Sequence, residues 1–259
     1  MRVDLHNHTP LCNHATGTPR EYVLEAINKG IDIFGFSDHA PMNFDTKYRM
    51  GFANMRTYEQ DILNLKKEFK GQIDIRLAYE VDYLKGHIDS RVLDAKVDYL
   101  IGSVHFINKW GFDNPEFIGE YKNKNIDNIW QEYFEAIKEM ANSGKFQIVG
   151  HLDLIKVFNF LPKKNTRLIA QDAIKAIKKA NMAVEINVAG YRKPVKEPYP
   201  SKELLQMCYE LDIPITFGSD AHKIEQIGYK YQEATAYVKE IGYNSCVSFI
   251  NKDMLMHNF

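Results

Sequence analysis

The chain is poor in cysteine, in net charge and in long apolar runs, and each shortage removes a class of function. Its three cysteines, Cys12, Cys208 and Cys246, are scattered over 259 residues. They are too few for a disulfide framework and suit a reducing cytoplasm, where the chain is expected to work. Lys and Arg number 33 against 34 Asp and Glu, for a net charge of −1. With no long basic run to grip many phosphates, no nucleic-acid partner is expected, although a small phosphorylated substrate stays open. No apolar stretch approaches the roughly 20 residues of a membrane span, so no membrane association is expected. The chain runs from Met1 straight into a strand-like segment, which reads as having no signal peptide. No G-x-G-x-x-G or P-loop follows any apolar run, so nucleotide binding has no local support. Internal repeats and low-complexity segments are also missing, and composition leaves homo-oligomerisation open.

What is present is an alternation of strand-like and helix-like segments. Strands are expected at Arg2–Leu5, Ile31–Phe36, Ile73–Val81, Tyr99–Val104, Gln147–Gly150, Ala183–Val188 and Ile213–Phe217. Helices are expected at Pro19–Lys29, Arg56–Phe69, Ile88–Ala95, Ile126–Asn142, Arg167–Ala180 and Ser201–Glu210, with one more helix and a short apolar piece, Cys246–Ile250, in the tail. Strands separated by helices imply parallel β/α units. With 45% hydrophobic residues the chain can bury a substantial core, and one barrel domain over residues 1–259 fits the ~200–250 residues usual for such folds.

The polar residues that close these strands carry the chemistry. His6 and His8 end the first, Asp38 and His39 the second, and Glu80 the third. His105 ends the fourth, His151 the fifth, and Asp220 with His222 the seventh; His14 sits in the loop after the first. An H-x-H or D-x-H at a strand end sends both side chains to one face, because side chains alternate with period 2. In a parallel barrel all strand C-termini open on one mouth, so seven of the nine histidines converge there. His87 and His257 are left over as bystanders. Asp38, Asp4 and Asp153 are expected to orient imidazoles. Imidazole and carboxylate ligands suit Zn, Fe or Mn, and nine ligand groups exceed what one ion needs. Clustered divalent ions generate a bridging hydroxide near neutral pH and clamp phosphoryl oxygens, which suits the very slow hydrolysis of phosphate monoesters.

The ordered set His6-Asn7-His8, His14, Phe36-Ser37-Asp38-His39, Glu80, Gly102-Ser103-Val104-His105, Gly150-His151-Leu152-Asp153, Glu185-Ile186-Asn187 and Gly218-Ser219-Asp220-Ala221-His222 resembles the PHP (polymerase and histidinol phosphatase) superfamily. Within it, the set looks like the PHP-type histidinol-phosphatases. The resemblance implies a distorted (β/α)7 TIM-like barrel of parallel strands with three divalent metal ions. One ion would take His6, His8, Glu80 and Asp220. A second would take His105 and His151 with Glu80 bridging, and a third His14, His39 and His222. Asp220, His222 and Glu80 are expected to act in the reaction itself, the hydrolysis of L-histidinol phosphate to L-histidinol and phosphate by a metal-bridging hydroxide. Another small phosphomonoester or a nucleotide is the alternative substrate. Arg192, in Asn187-Val188-Ala189-Gly190-Tyr191-Arg192-Lys193, would hold the substrate phosphate. Lys156 stands where relatives are expected to carry a second phosphate-binding arginine. The irregular stretch 106–125, with Trp110, Phe112, Phe117, Tyr121 and Asp113, reads either as a cover over the mouth, meeting the cationic, aromatic end of the substrate, or as a surface loop over a small satellite core.

Overall fold

The computed structural model describes residues 1–259. Seven parallel strands run β1 (Val3–Asp4), β2 (Ile33–His39), β3 (Asp74–Asp82) and β4 (Tyr99–Ser103), followed after a small hairpin, β5 (Phe106–Ile107) and β6 (Trp110–Gly111), by β7 (Ile148–Val149), β8 (Ala183–Asn187) and β9 (Ile215–Gly218). Their spatial order is β1-β2-β3-β4-β7-β8-β9, each pair in parallel register. The seam between β9 and β1 is bridged by backbone bonds from Leu5 N to Phe217 O (2.8 Å), Asp220 N to His6 O (2.7 Å) and His8 N to Ala221 O (3.0 Å). The result is a nearly closed, distorted (β/α)7 barrel. The strands are buried on both faces, as expected where helices cover a parallel sheet.

Helices α1 (Pro19–Asn28), α2 (Met55–Glu68), the single turn α3 (Ser90–Leu93), α4 (Ile126–Asn142), α5 (Thr166–Lys179), α6 (Lys202–Glu210) and α7 (Tyr231–Ile241) connect the strands and cover them. Local chemistry sets their starts. Thr18 and Glu21 form a reciprocal capping box ahead of Pro19, which satisfies two otherwise free backbone N–H groups. In α4, Ile129, Trp130, Tyr133, Phe134, Ile137, Met140 and Ala141 bury one stripe at helical spacing.

The tail adds an antiparallel hairpin, β10 (Ser245–Ile250) and β11 (Asp253–Asn258), of which the sequence pattern shows only the apolar piece Cys246–Ile250, without assigning it as a strand. The hairpin is tied beneath the barrel. Arg76 Nε donates to Phe249 O (2.8 Å) and Lys252 N to Asp98 O (2.7 Å). On β3, Arg76, Ala78, Glu80 and Asp82 share one face by the period-2 rule. That face therefore runs from the hairpin at the bottom to the histidines at the mouth. Phe249 is buried beside Tyr99, ring centres 6.0 Å apart. Phe249→Ala is expected to destabilise the fold by about 3–5 kcal/mol, read as a lower urea midpoint with activity per folded molecule unchanged.

Candidate metal centre

The strand ends bring the residues expected to be ligands together around Glu80, which is about 1% exposed. Its Oε1 lies 3.0 Å from His151 Nε2 and 3.7 Å from His105 Nε2. Its Oε2 lies 3.3 Å from His6 Nε2, 3.7 Å from His8 Nε2 and 3.0 Å from His39 Nδ1. Asp220 Oδ1 approaches His8 Nε2 at 3.2 Å and His222 Nδ1 at 3.5 Å. Donor atoms fall within 4.8 Å of one another in the groups His6–His8–Glu80, Glu80–His105–His151 and His14–His39–His222. A fourth group, His8–Cys12–His222, adds a buried thiol. His87 and His257 lie elsewhere: the His87 ring sits tilted against Phe44, centres 5.3 Å apart, and His257 Nε2 meets Ser248 Oγ at 2.7 Å.

Most of these imidazoles are held from behind through Nδ1. His6 Nδ1–H donates to Glu185 Oε1 (2.7 Å) and His8 Nδ1–H to Asp38 Oδ1 (3.3 Å). His105 Nδ1–H donates to Asp82, and His14 Nδ1–H to Cys12 O (2.8 Å). An imidazole anchored in this way offers Nε2 to a metal. Of the carboxylates expected to orient histidines, Asp38 does so. Asp4 instead accepts Ser219 N (2.9 Å) and Asn7 Nδ2 (3.1 Å), and Asp153 accepts Ser201 N (2.8 Å). Glu185 and Asp82 take the orienting role that sequence reasoning does not assign. Asp82 follows Glu80 by two residues on one strand, so the E-x-D spacing is a usable signal. Gly218 permits the close approach at the seam, since a Cβ there would stand 1.9 Å from Glu185 Oε1 and 2.7 Å from His6 Cβ.

The residues present fit divalent ions. His6 Nε2, His8 Nε2, His39 Nδ1, His222 Nε2 and Glu80 Oε2 are buried and have no hydrogen-bond partner, a costly state for polar atoms that an ion would relieve. Nitrogen and carboxylate donors suit Zn, Fe or Mn. Asp220 and His151 both hold positive φ, 49° and 26°, a strain typical of functional positions. The electrostatics are strongly coupled. Burial opposes ionisation of Glu80, yet His6, His39 and His151 outweigh it and hold its carboxyl well below the usual range. Burial likewise opposes charge on His8, but the Asp220 and Asp38 carboxylates, 3.2 and 3.3 Å from its two ring nitrogens, raise it to about 9. Asp82 similarly raises His105 to about 10 against its burial, whereas burial prevails at His39 and lowers it to about 4.

Above the cluster opens a cavity of about 500 Å³, lined by His14, His39, Glu80, His105, His151, Asp220 and His222 on its floor, a size suited to a small ligand. Its walls include Phe44, Phe117, Tyr199, Asp113 and Lys193. The stretch 106–125 supplies one wall. It is neither a detached loop nor a satellite: Trp110, Phe112 and Tyr121 belong to the main core, while Phe117 and Asp113 face the cavity. Arg192 donates through Nη2 to Ser219 O (2.8 Å) and Asp220 O (3.0 Å), and its buried Nη1 has no partner. Lys156 departs from expectation. Its buried ammonium is shared by Asp153 Oδ2 (3.0 Å), Glu197 Oε1 (2.8 Å) and Pro198 O (2.9 Å). It does not line the cavity, because a buried ammonium needs such partners more than it needs solvent.

A family model described as PHP domain matches residues 4–189, and one described as PHP-associated matches 204–239. A probable histidinol-phosphatase of Deinococcus radiodurans is 38% identical, with 97% of each chain covered. The chain belongs to the PHP family, among its histidinol-phosphatases. The histidinol-phosphatase of Bacillus subtilis is 31% identical over 90% of this chain and 97% of that one. In fold, this PHP chain matches the histidinol phosphate phosphatase of Lactococcus lactis, crystallised with zinc, L-histidinol and phosphate, at a TM-score of 0.81 over 98% of both chains and 24% identity. No helix of the chain is long and apolar enough to cross a membrane.

Proposed function

We propose that this protein is a metal-dependent histidinol-phosphatase that hydrolyses L-histidinol phosphate to L-histidinol and phosphate. The observation that carries the reading is the convergence of unpartnered imidazole nitrogens around Glu80 beneath a small cavity, in a chain 38% identical to a probable histidinol-phosphatase along its whole length. His6, His8, Glu80 and Asp220 would hold one ion, Glu80, His105 and His151 a second, and His14, His39 and His222 a third. Divalent ions there supply Lewis acidity, which makes water nucleophilic near neutral pH and neutralises charge on phosphoryl oxygens.

The chain's own residues supply orientation. Glu185, Asp38 and Asp82 keep Nδ1 of His6, His8 and His105 protonated and aim Nε2 inward. Arg192 is not part of the cavity lining, but it is bonded to the Asp220 carbonyl with Nη1 unpartnered, and it would offer that Nη1 to the phosphate, as suits a planar guanidinium. Asp113 and the rings of Phe117 and Tyr199 meet the cationic, aromatic end of the substrate. Asp220 and His222 border the cavity, and one of them would pass a proton to the leaving alkoxide.

The test is turnover of metal-loaded protein on histidinol phosphate against a nucleoside monophosphate and a generic aryl phosphate. A preference for histidinol phosphate of at least about 100-fold in kcat/KM, or about 2.7 kcal/mol, is expected. Equal rates on all three would reassign the protein to a general phosphomonoesterase. Arg192→Met is expected to lower kcat/KM by about 10–100-fold, since a charge-assisted bond contributes roughly 1.5–3 kcal/mol. Arg192→Lys should recover only part of it.

A further inference from the structure

Arg49 stands in the loop between β2 and α2, is 4% exposed and also borders the cavity. A buried arginine beside a phosphate-sized space invites the reading of a phosphate ligand, but each of its three nitrogens already faces a protein oxygen. Nε donates to Asp45 O (2.5 Å), Nη1 donates to Asp82 Oδ2, and Nη2 lies 3.5 Å from Asp45 Oδ2. Asp82 thereby divides its two oxygens: Oδ2 takes Arg49 and Oδ1 takes His105 Nδ1–H. His105 in turn directs Nε2 to the group it forms with Glu80 and His151.

Such a chain has a physical reason. A buried carboxylate paired only with a neutral imidazole is poorly compensated for its lost hydration, and a guanidinium offsets that cost. Its rigid planar fork also fixes the carboxylate's orientation, which a flexible ammonium does less well. The arrangement is specific to one part of the centre, because His6 is oriented by Glu185 and His8 by Asp38, neither of which touches Arg49. We propose that Arg49 is a positioning residue for the ion held by Glu80, His105 and His151, acting through Asp82. This rests on the metal-centre reading under Proposed function.

A plainer role is available, and the test must separate it. The loop of Arg49 is also sewn to its surroundings, with Asn13 Nδ2 donating to Arg49 O (2.9 Å) and Lys47 pairing with Glu116 (3.0 Å). If Arg49 merely anchors this loop, its loss would disturb His14 and the mouth generally.

The experiment counts bound metal by elemental analysis after dialysis of the metal-loaded protein against graded chelator. The wild type is compared with R49M, D82N and the double variant, with thermal melts alongside. The wild type should hold three ions. R49M should release one of them at 10–100-fold lower chelator, the usual effect of removing a group that orients a metal-bound histidine, and keep the other two as the wild type does. D82N should release the same single ion, and the double variant should be no worse than D82N, because both substitutions break one chain of contacts. R49M holding all three ions like the wild type, losing all three together, or adding its full loss to that of D82N would overturn the proposal. A wild type holding one ion or none would instead overturn the metal-centre reading. If R49M does not fold, R49K serves in its place. Selective weakening of one ion, smaller than in D82N, supports the assignment, and wild-type retention of all three ions refutes it.

Discussion

Glu80→Gln is expected to lower kcat by about 10³-fold or more and to reduce bound metal from three ions to one. The two Glu80 oxygens face different histidines: Oε1 faces His105 and His151, and Oε2 faces His6, His8 and His39. Glutamine keeps the volume but removes the charge. It also turns an N–H donor toward one of the two groups, where it repels either a bound cation or the imidazole N–H groups that remain. Two of the three proposed ions therefore lose their shared carboxylate at once, while the His14–His39–His222 group loses only the contact of His39 Nδ1 with Oε2. Each ion contributes several kcal/mol of charge stabilisation, and a loss of about 4 kcal/mol alone is about 10³ in rate. Elemental analysis and single-turnover rates, with circular dichroism as a check on folding, decide it. Full metal content with kcat within tenfold of wild type would show that Glu80 does not bridge.

The barrel is legible in the sequence because its strands are short apolar runs closed by polar residues, and because the period-2 rule sends alternate residues to one face. That is why the spacing alone places His6 with His8, and Glu80 with its strand neighbours. What stays hidden depends on contacts far apart in sequence. Glu185 belongs to a motif visible at once, yet its partner His6 lies 179 residues away, so no local pattern reveals the pairing. Lys156 reads as a ligand for phosphate only through the family resemblance, which expects a basic residue soon after His151. Its capture by Glu197 is set by how the loop after β8 folds back, which no spacing encodes. The second hairpin strand escapes for a related reason. Asp253–Asn258 is largely exposed and has little apolar alternation, and it is a strand because β10 pairs with it. Arg49 sits in a loop without periodicity, and only the fold shows that it reaches Asp82.

Removing the metals should do more than stop turnover: it should reverse how stability depends on pH. In the metal-free protein the neighbouring carboxylates outweigh burial and raise His8 to about 9 and His105 to about 10, above the ~6.5 of an unfolded histidine. A group with a raised folded pKa contributes stability that is fully present below ~6.5 and is lost as pH rises through its folded value. Glu80 and Asp220, held well below the carboxylate range against burial by His6 and its neighbours, stay ionised in both states above neutrality and add no slope there. His39, lowered to about 4 mainly by burial, stays neutral over the same window. The metal-free protein should therefore lose thermal stability steadily from pH 7 to pH 10. Bound ions demand deprotonated imidazoles and displace those protons, so their affinity should rise over the same window. At free metal ~1,000-fold above Kd a site adds about 4 kcal/mol. At ~2–4 °C per kcal/mol for a chain of this size, that is a rise in Tm of about 8–16 °C per site. Calorimetric melts with and without metal at pH 7, 8 and 9 should show the gap widening, and titration calorimetry in buffers of different ionisation enthalpy should register proton release on binding. A metal-free Tm that climbs with pH, or binding without proton release, would contradict the coupling between the imidazoles and the carboxylates around Glu80.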